Sequence, residues 1–166
     1  GDHMGMLATT LNCMALESAL QANGQKAKVM SATIVDGVDP IDVAKANELI
    51  EDNTVVLFGG GIGNPYFTTD TACALRAIEI KAEKILMAKN GVDGVYDKDP
   101  TVYNDAKRFD SLTFNDILNL NLKVMDATAA SLCSSNNIKA FVFNANEKDC
   151  LLKAVENKIA GTTISC

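Results

Sequence analysis

The sequence predicts an α/β fold, a three-layer α/β/α sandwich built on a mainly parallel sheet, and three observations predict it. Short runs rich in β-branched and other apolar residues alternate with segments of helical period along the whole length. Two of those runs, TVVLF at 54–58 and KILMA at 84–88, are continuously apolar instead of alternating, the pattern of strands covered on both faces. Each run stops abruptly at a glycine-rich or polar loop and is followed by a helix, the order that crossover connections of a parallel sheet require. With 166 residues, 48% of them hydrophobic, and no low-complexity tract, repeat or linker-like break in composition, the chain is expected to form a single domain over residues 1–166.

The elements follow in order. Residues 4–22 carry Leu7, Leu11, Met14, Ala15 and Ala19 at helical spacing, with Leu16 and Leu20 widening the stripe, and Asn23-Gly24 supplies a C-terminal stop. This stripe is expected to face the core. KVMSA at 28–32 is a short strand, and residues 41–51 form a helix introduced by Asp39-Pro40. TVVLF then forms the strand at the centre of the molecule, ending on Gly59-Gly60-Gly61. A helix over 69–80, the KILMA strand and a polar stretch over 89–110 come next. Helices at 116–119 and 126–136, a strand AFVF at 140–143, a helix at 148–156 and a last strand GTTIS at 161–165 complete the alternation. Asp126 is read as the N-cap of its helix, since a short acceptor immediately before a helical run satisfies the free backbone donors.

Bulk properties exclude several functions. A formal charge of −6 sets the chain against nucleic acid and anionic membranes, so any phosphate it binds must be met by local donors. The five cysteines form an odd set with no C-x-x-C pair, and the single histidine, His3, has no companions, so neither a disulfide framework nor a zinc site is indicated. Reduced thiols fit a cytoplasmic protein. No apolar run reaches the roughly 18 residues a spanning helix needs, and no signal-peptide pattern opens the chain.

Two loops carry chemistry. FGGGIGNPYFTTD at 58–70 joins a buried strand to a helix; its glycines allow a ligand to approach the backbone, and the helix N-terminus offers free N–H groups to an anion. Thr68 and Thr69 add hydroxyls there, although threonine at a helix start is also an ordinary cap. The loop is neither a Walker A sequence, lacking Gly-Lys-Ser/Thr, nor a dinucleotide fingerprint, lacking the third glycine. NGVDGVYDKDP at 90–100 again follows a strand: Gly91 and Gly94 permit sharp turns, Tyr96 offers a flat face to a purine, and Asp93, Asp97 and Asp99 offer acceptors. The same residues would equally suit a surface turn held by Asx side chains.

GNPYFTTD closely resembles the GNPFFTTD signature of bacterial UMP kinases, and it is accompanied in the family's order by DHMGMLAT at 2–9, VDGVYDKDP at 92–100 and LKVMDATAASLC at 122–133. The resemblance extends from Asp2 to the terminal GTTIS and implies the amino-acid kinase fold. V-D-G-V-Y-x-x-D-P is shared with aspartokinases and glutamate kinases and so marks the ATP side; GNPYFTTD selects the UMP kinases. By this resemblance Asp2 binds the UMP ribose, and Ile62, Gly63, Asn64, Pro65, Tyr66, Phe67, Thr68 and Thr69 hold the uracil and phosphate, with Asn64 reading the base and Thr69 nearest the phosphate. Asn90, Tyr96 and Asp99 surround the adenine and ribose of ATP. Position 62 is often Thr in the family, so Ile62 would serve through its backbone, and Tyr66 stands where the family has Phe.

The resemblance further implies ATP with Mg²⁺ as the phosphoryl donor, a hexameric assembly, and GTP and UTP as effectors. It makes Asp2-His3-Met4 native sequence rather than a vector remnant, because the family carries Asp-x-Met at this point. The family's transferring cations lie in a K-L-S-G-E type strand and loop and in a G-G-G-N loop with a downstream Arg, none of which occurs in these 166 residues. The chain is therefore expected to begin after them, with its catalytic residues elsewhere, and neither Lys89 nor Lys98 is promoted to that role. The rival readings are another amino-acid kinase, such as an acetylglutamate or aspartate kinase, and a non-catalytic nucleotide-binding module.

Overall fold

The computed structural model describes residues 1–166, which divide into two compact units, Gly1–Ile80 and Lys81–Cys166. In the first unit, helix α1 (Asp2–Ala22) leads to β1 (Ala27–Ser31), β2 (Asp39–Pro40), α2 (Val43–Glu51), β3 (Val55–Gly59) and α3 (Thr69–Glu79). Its sheet has the order β2-β1-β3 and is parallel throughout, with Val29 opposite Leu57 and Met30 opposite Phe58. Helix α1 stops where the sequence says it should. Gly24 takes φ +80°, its N–H bonds to Gln21 O at 3.0 Å, and Gln25 N bonds to Leu20 O at 3.0 Å, the paired bonds of a Schellman cap.

The face that α1 buries is not the expected one. Met6 and Thr10 are buried while Leu7, Leu11, Met14, Ala15, Leu16 and Ala19 are exposed, Leu11 at 65%. The cause lies in the strand beneath. A Cβ at Gly59 would stand 2.7 Å from Thr10 Cα, so the helix backbone rests on that glycine, and Thr10 Oγ1 finds Ser31 Oγ at 3.0 Å. Polar side chains on the same face finish the sheet: Glu17 accepts from Val29 N at 2.9 Å and Gln21 donates to Ala27 O at 3.1 Å, partners that the two-residue β2 is too short to provide.

Two other expectations shift. Asp39-Pro40 does not start α2; Pro40 lies in β2, at the sheet edge where a missing N–H is tolerated, and Asp42 is the N-cap, accepting from Lys45 N at 3.0 Å. The best-buried strand of this sheet is β1, its middle member, while β3 lies at one side with Val55 exposed.

The second unit contains β4 (Lys84–Lys89), β5 (Val95–Tyr96), β6 (Arg108–Phe109), β7 (Ser111–Thr113), α4 (Phe114–Asn119), α5 (Ala127–Ser135), β8 (Lys139–Asn144), α6 (Cys150–Val155) and β9 (Gly161–Ser165). The sheet order is β4-β8-β9-β7; β4 pairs parallel with β8 and β7 with β9, while β8 and β9 are antiparallel. Phe114, Cys133, Val142, Phe143 and Ile164 form the centre of its core, with Phe141 and Phe143 stacked at 5.8 Å. Helix α4 opens on a capping box in which Thr113 Oγ1 accepts from Asp116 N and Asp116 accepts from Thr113 N, and Asp126 caps α5 through Ala129 N at 3.0 Å. The polar stretch 89–110 is not featureless: β5 and β6 pair antiparallel within it. No helix is long and apolar enough to cross a membrane, and all five cysteines are free thiols.

Candidate functional site

In the first unit the loop between β3 and α3 is a run of left-handed turns. Gly60, Gly61 and Gly63 have φ of +78°, +62° and +83°, and Tyr66 reaches +72° without being glycine. The chain also needs the space: a Cβ at Gly60 would lie 2.7 Å from Ser31 Oγ and 2.8 Å from Thr33 N, and one at Gly63 would lie 2.7 Å from Ala32 O. Helix α1 holds both ends of the loop. Thr9 Oγ1 accepts from Gly60 N at 3.0 Å, and two turns earlier Asp2 Oδ2 accepts from Tyr66 N at 2.8 Å. Asp2 and the loop, 64 positions apart in sequence, are thus brought together.

Among the loop residues, Ile62, Gly63 and Pro65 are half-buried, whereas Asn64, Tyr66, Phe67, Thr68 and Thr69 are exposed. Tyr66 presents its ring at 94% exposure, leaving a flat apolar face open to a ligand. Thr68 is the N-cap of α3, accepting from Thr71 N at 3.3 Å, so the ordinary reading of that threonine holds. Thr69 opens the helix, next to backbone N–H groups whose summed dipole favours an anion.

In the second unit a cavity of 460 Å³ opens beside the 90–100 loop. Tyr96 and Asp99 line it, whereas Asn90, which is exposed, does not. Three lysines, Lys89, Lys98 and Lys123, stand on its wall together with apolar residues such as Leu122 and Val142. Lys98 is paired with Asp105 at 2.6 Å and lies 5.4 Å from the Tyr103 ring centre. Lys123 was passed over in the sequence; its position in LKVMD, in the short segment joining two helices, was the available signal.

The loop aspartates are committed locally. Asp97 Oδ1 accepts from Lys107 N at 2.8 Å, and Asp99 Oδ1 accepts from Thr101 N at 2.8 Å and Thr101 Oγ1 at 2.6 Å. Those Thr101 bonds hold the Asp99 carboxyl below the usual range, with Lys123 adding to the effect. Asp93 accepts from the Tyr96 hydroxyl at 2.6 Å and from the Arg108 guanidinium. The tyrosine bond, and then Arg108, depress the Asp93 carboxyl against the opposing push of burial, while the Tyr96 phenol is raised chiefly by that same bond.

The glycine-rich loop at a helix N-terminus in the first unit and the lysine-walled cavity with a tyrosine at its edge in the second are each features of an α/β protein suited to anionic ligands. Comparison with known proteins makes the class specific: the model of the amino acid kinase family matches residues 1–144, and the chain belongs to that family. Within it, the chain is 43% identical to the uridylate kinase of Mycoplasma mobile, a match covering 98% of this chain and 69% of that protein. It superposes on the crystal structure of UMP kinase from Ureaplasma parvum with a TM-score of 0.95 and 44% identity, covering 99% of this chain and 71% of that one. The structure of UMP kinase from Bacillus anthracis gives a TM-score of 0.95 at 34% identity, covering 99% and 68%.

Proposed function

We propose that this chain is a UMP kinase, catalysing transfer of the γ-phosphoryl group of ATP to UMP to give UDP and ADP. The observation that carries the reading is the 63–70 loop, GNPYFTTD, tied to Asp2 by the Tyr66 amide and opening on the α3 N-terminus, in a chain 43% identical to a uridylate kinase. In this reading Asp2 binds the ribose, residues 62–69 surround uracil and phosphate, and the helix N-terminus at Thr69 draws the UMP phosphate. The cavity of the second unit takes ATP, with Tyr96 and Asp99 on its wall and Asn90 at the mouth of the same loop. The one family model running through residues 1–144 supports treating both units as parts of one amino-acid kinase domain.

Phosphoryl transfer asks for positioning and positive charge more than covalent chemistry. Lys89, Lys98 and Lys123 on the cavity wall supply charge suited to a polyphosphate. Asp97 and Asp99 each already have an oxygen engaged by loop donors. That fits a Mg²⁺ ion held mainly by the ATP phosphates, where it would neutralise developing charge. A cytoplasmic location agrees with the five free thiols. The outward apolar face of α1, with Met4, Leu7 and Leu11 exposed, supports a homo-oligomer in which another copy covers it; a hexamer, and GTP and UTP as effectors, rest on the resemblance alone.

Binding tests the reading directly. Calorimetry with UMP, CMP, aspartate and N-acetylglutamate as acceptors, and ATP as donor, should give UMP and ATP as ligands, accompanied by ADP formation only where UMP is the acceptor. Binding of an amino acid in place of UMP would assign the chain to another branch of the family, and binding of neither nucleotide would overturn the proposal.

A further inference from the structure

We propose that Arg108 is a positioning residue of the nucleotide cavity, acting through Asp93 to fix the Tyr96 side chain on the cavity wall; the proposal rests on the reading of this cavity as the ATP site. Asp93 stands between the two groups. Its Oδ1 accepts from the Tyr96 hydroxyl at 2.6 Å and its Oδ2 accepts from Arg108 Nη1, so both carboxylate oxygens are used and the carboxylate cannot swing without breaking one bond. Arg108 is itself held from outside the loop. It lies on β6, paired with β5 through Tyr96 opposite Arg108, and its stem passes under Gly94, where a Cβ would meet Arg108 Cδ at 2.6 Å.

A second tie fixes the same turn. Thr162 on β9, fully buried, accepts from Val95 N at 2.8 Å and donates to Phe109 O at 2.6 Å, joining β5 and β6 beneath the loop. With the backbone fixed by Thr162, what remains free is the Tyr96 ring, and the Arg108 to Asp93 to Tyr96 chain removes that freedom. Arg108 Nε is buried without a partner, and Asp110 is 3.9 Å from Nη2. Asp93 is therefore the close anionic partner of this half-buried guanidinium. Arg108 does not line the cavity, whereas Tyr96 does. A change at Arg108 thus reaches a nucleotide through its neighbours on the wall, of which Tyr96 is the one its hydrogen-bond chain holds.

Pre-arranging a ring for stacking lowers the ordering cost of binding. The test is calorimetric binding of ATP and, separately, UMP to the unaltered chain and to Arg108→Met, Arg108→Lys, Tyr96→Phe and the double variant Arg108→Met with Tyr96→Phe. Methionine keeps much of the stem under Gly94 and removes the guanidinium; phenylalanine keeps the ring and removes the hydroxyl. Each of these two single variants should weaken ATP about fivefold to tenfold, the loss of one hydrogen bond's worth of organisation. The double variant should be no weaker than the weaker single one, Arg108→Lys should recover part of the loss, and UMP affinity should be unchanged in all. A tyrosine ultraviolet titration, taken as the difference from Tyr96→Phe, should move down towards the ordinary phenol value in Asp93→Asn. Wild-type ATP affinity in Arg108→Met, additive losses in the double variant, or an unmoved titration would each overturn the positioning role. Absence of ATP binding by the wild-type chain would instead fell the nucleotide reading, and the proposal with it.

Discussion

Replacing Gly60 by alanine should be one of the most damaging single-methyl additions in the first unit, and its cost can be worked from two separable parts. The first is conformational: at φ +78° an L-residue pays about 1–2 kcal/mol for the left-handed region. The second is contact. The new Cβ would stand 2.7 Å from Ser31 Oγ, 2.8 Å from Thr33 N and 2.9 Å from Ala32 N, and two of these are backbone atoms that cannot rotate aside. Overpacking of this kind costs about 1–3 kcal/mol, so Gly60→Ala should lose roughly 2–5 kcal/mol in all. Gly24→Ala isolates the first part, because Gly24 has φ +80° and nothing within 4 Å of its Cβ position. The two variants compared by urea unfolding should therefore differ by about 1–3 kcal/mol. Moving the loop also breaks the bond from Gly60 N to Thr9 Oγ1, so UMP affinity should fall at least about tenfold in Gly60→Ala while Gly24→Ala binds normally. Equal stability losses in the two variants, with UMP affinity intact, would refute the close docking of the loop on residues 31–33.

Acid should destabilise the chain in a definite window. Asp93, Asp99 and Asp116 are held below the ordinary carboxylate range by their hydrogen bonds, so the unfolded state takes up protons first; the stabilisation is complete at neutral pH and fades as pH drops below about 4 towards the folded values. Urea midpoints measured between neutrality and acid should show this slope, and Asp93→Asn should flatten it. Phe143→Ala, in the fully buried centre of the second unit, should cost about 3–5 kcal/mol by thermal or urea unfolding. Leu11→Glu should change the stability of the isolated chain by no more than about 0.5 kcal/mol, since Leu11 is exposed. If another copy covers α1, the same change should shift sedimentation to the monomer.

Element type was legible wherever a single periodicity ran long enough to decide it. The strands β1, β3, β4, β8 and β9 and the long helices fall within a few residues of the ranges read from apolar patterning. The burial of α1 was not legible, because that helix carries apolar residues around much of its circumference. Its inner face was chosen by Gly59, which lets the backbone approach, and by Ser31, which satisfies Thr10; both lie on other elements. The β5–β6 pair escaped for a different reason. Two-residue strands lie below any period, and what defines them is Thr162, more than fifty residues away, bridging Val95 and Phe109.

The candidate sites divide along the same line. Glycine content and a following helix announced the first loop, because a close backbone approach and left-handed turns leave a compositional mark. Its tie to Asp2 left none, since one hydrogen bond from a helix start to a loop amide has no sequence signature, and only the resemblance brought Asp2 into the site. The second loop shows why its aspartates were ambiguous. Asp93, Asp97 and Asp99 were open to two readings, ligand acceptors or Asx turns, and each has an oxygen bonded within or beside its own loop. Those oxygens are engaged in holding the turn, and beside Asp97 and Asp99 the wall offers a tyrosine ring, apolar side chains and three lysines, of which Lys98 is paired with Asp105. In a chain of net charge −6, Lys89, Lys98 and Lys123 gathered beside Asp97 and Asp99 on one wall are the local donors a polyanion would need, and they are the ground for proposing a nucleoside polyphosphate there.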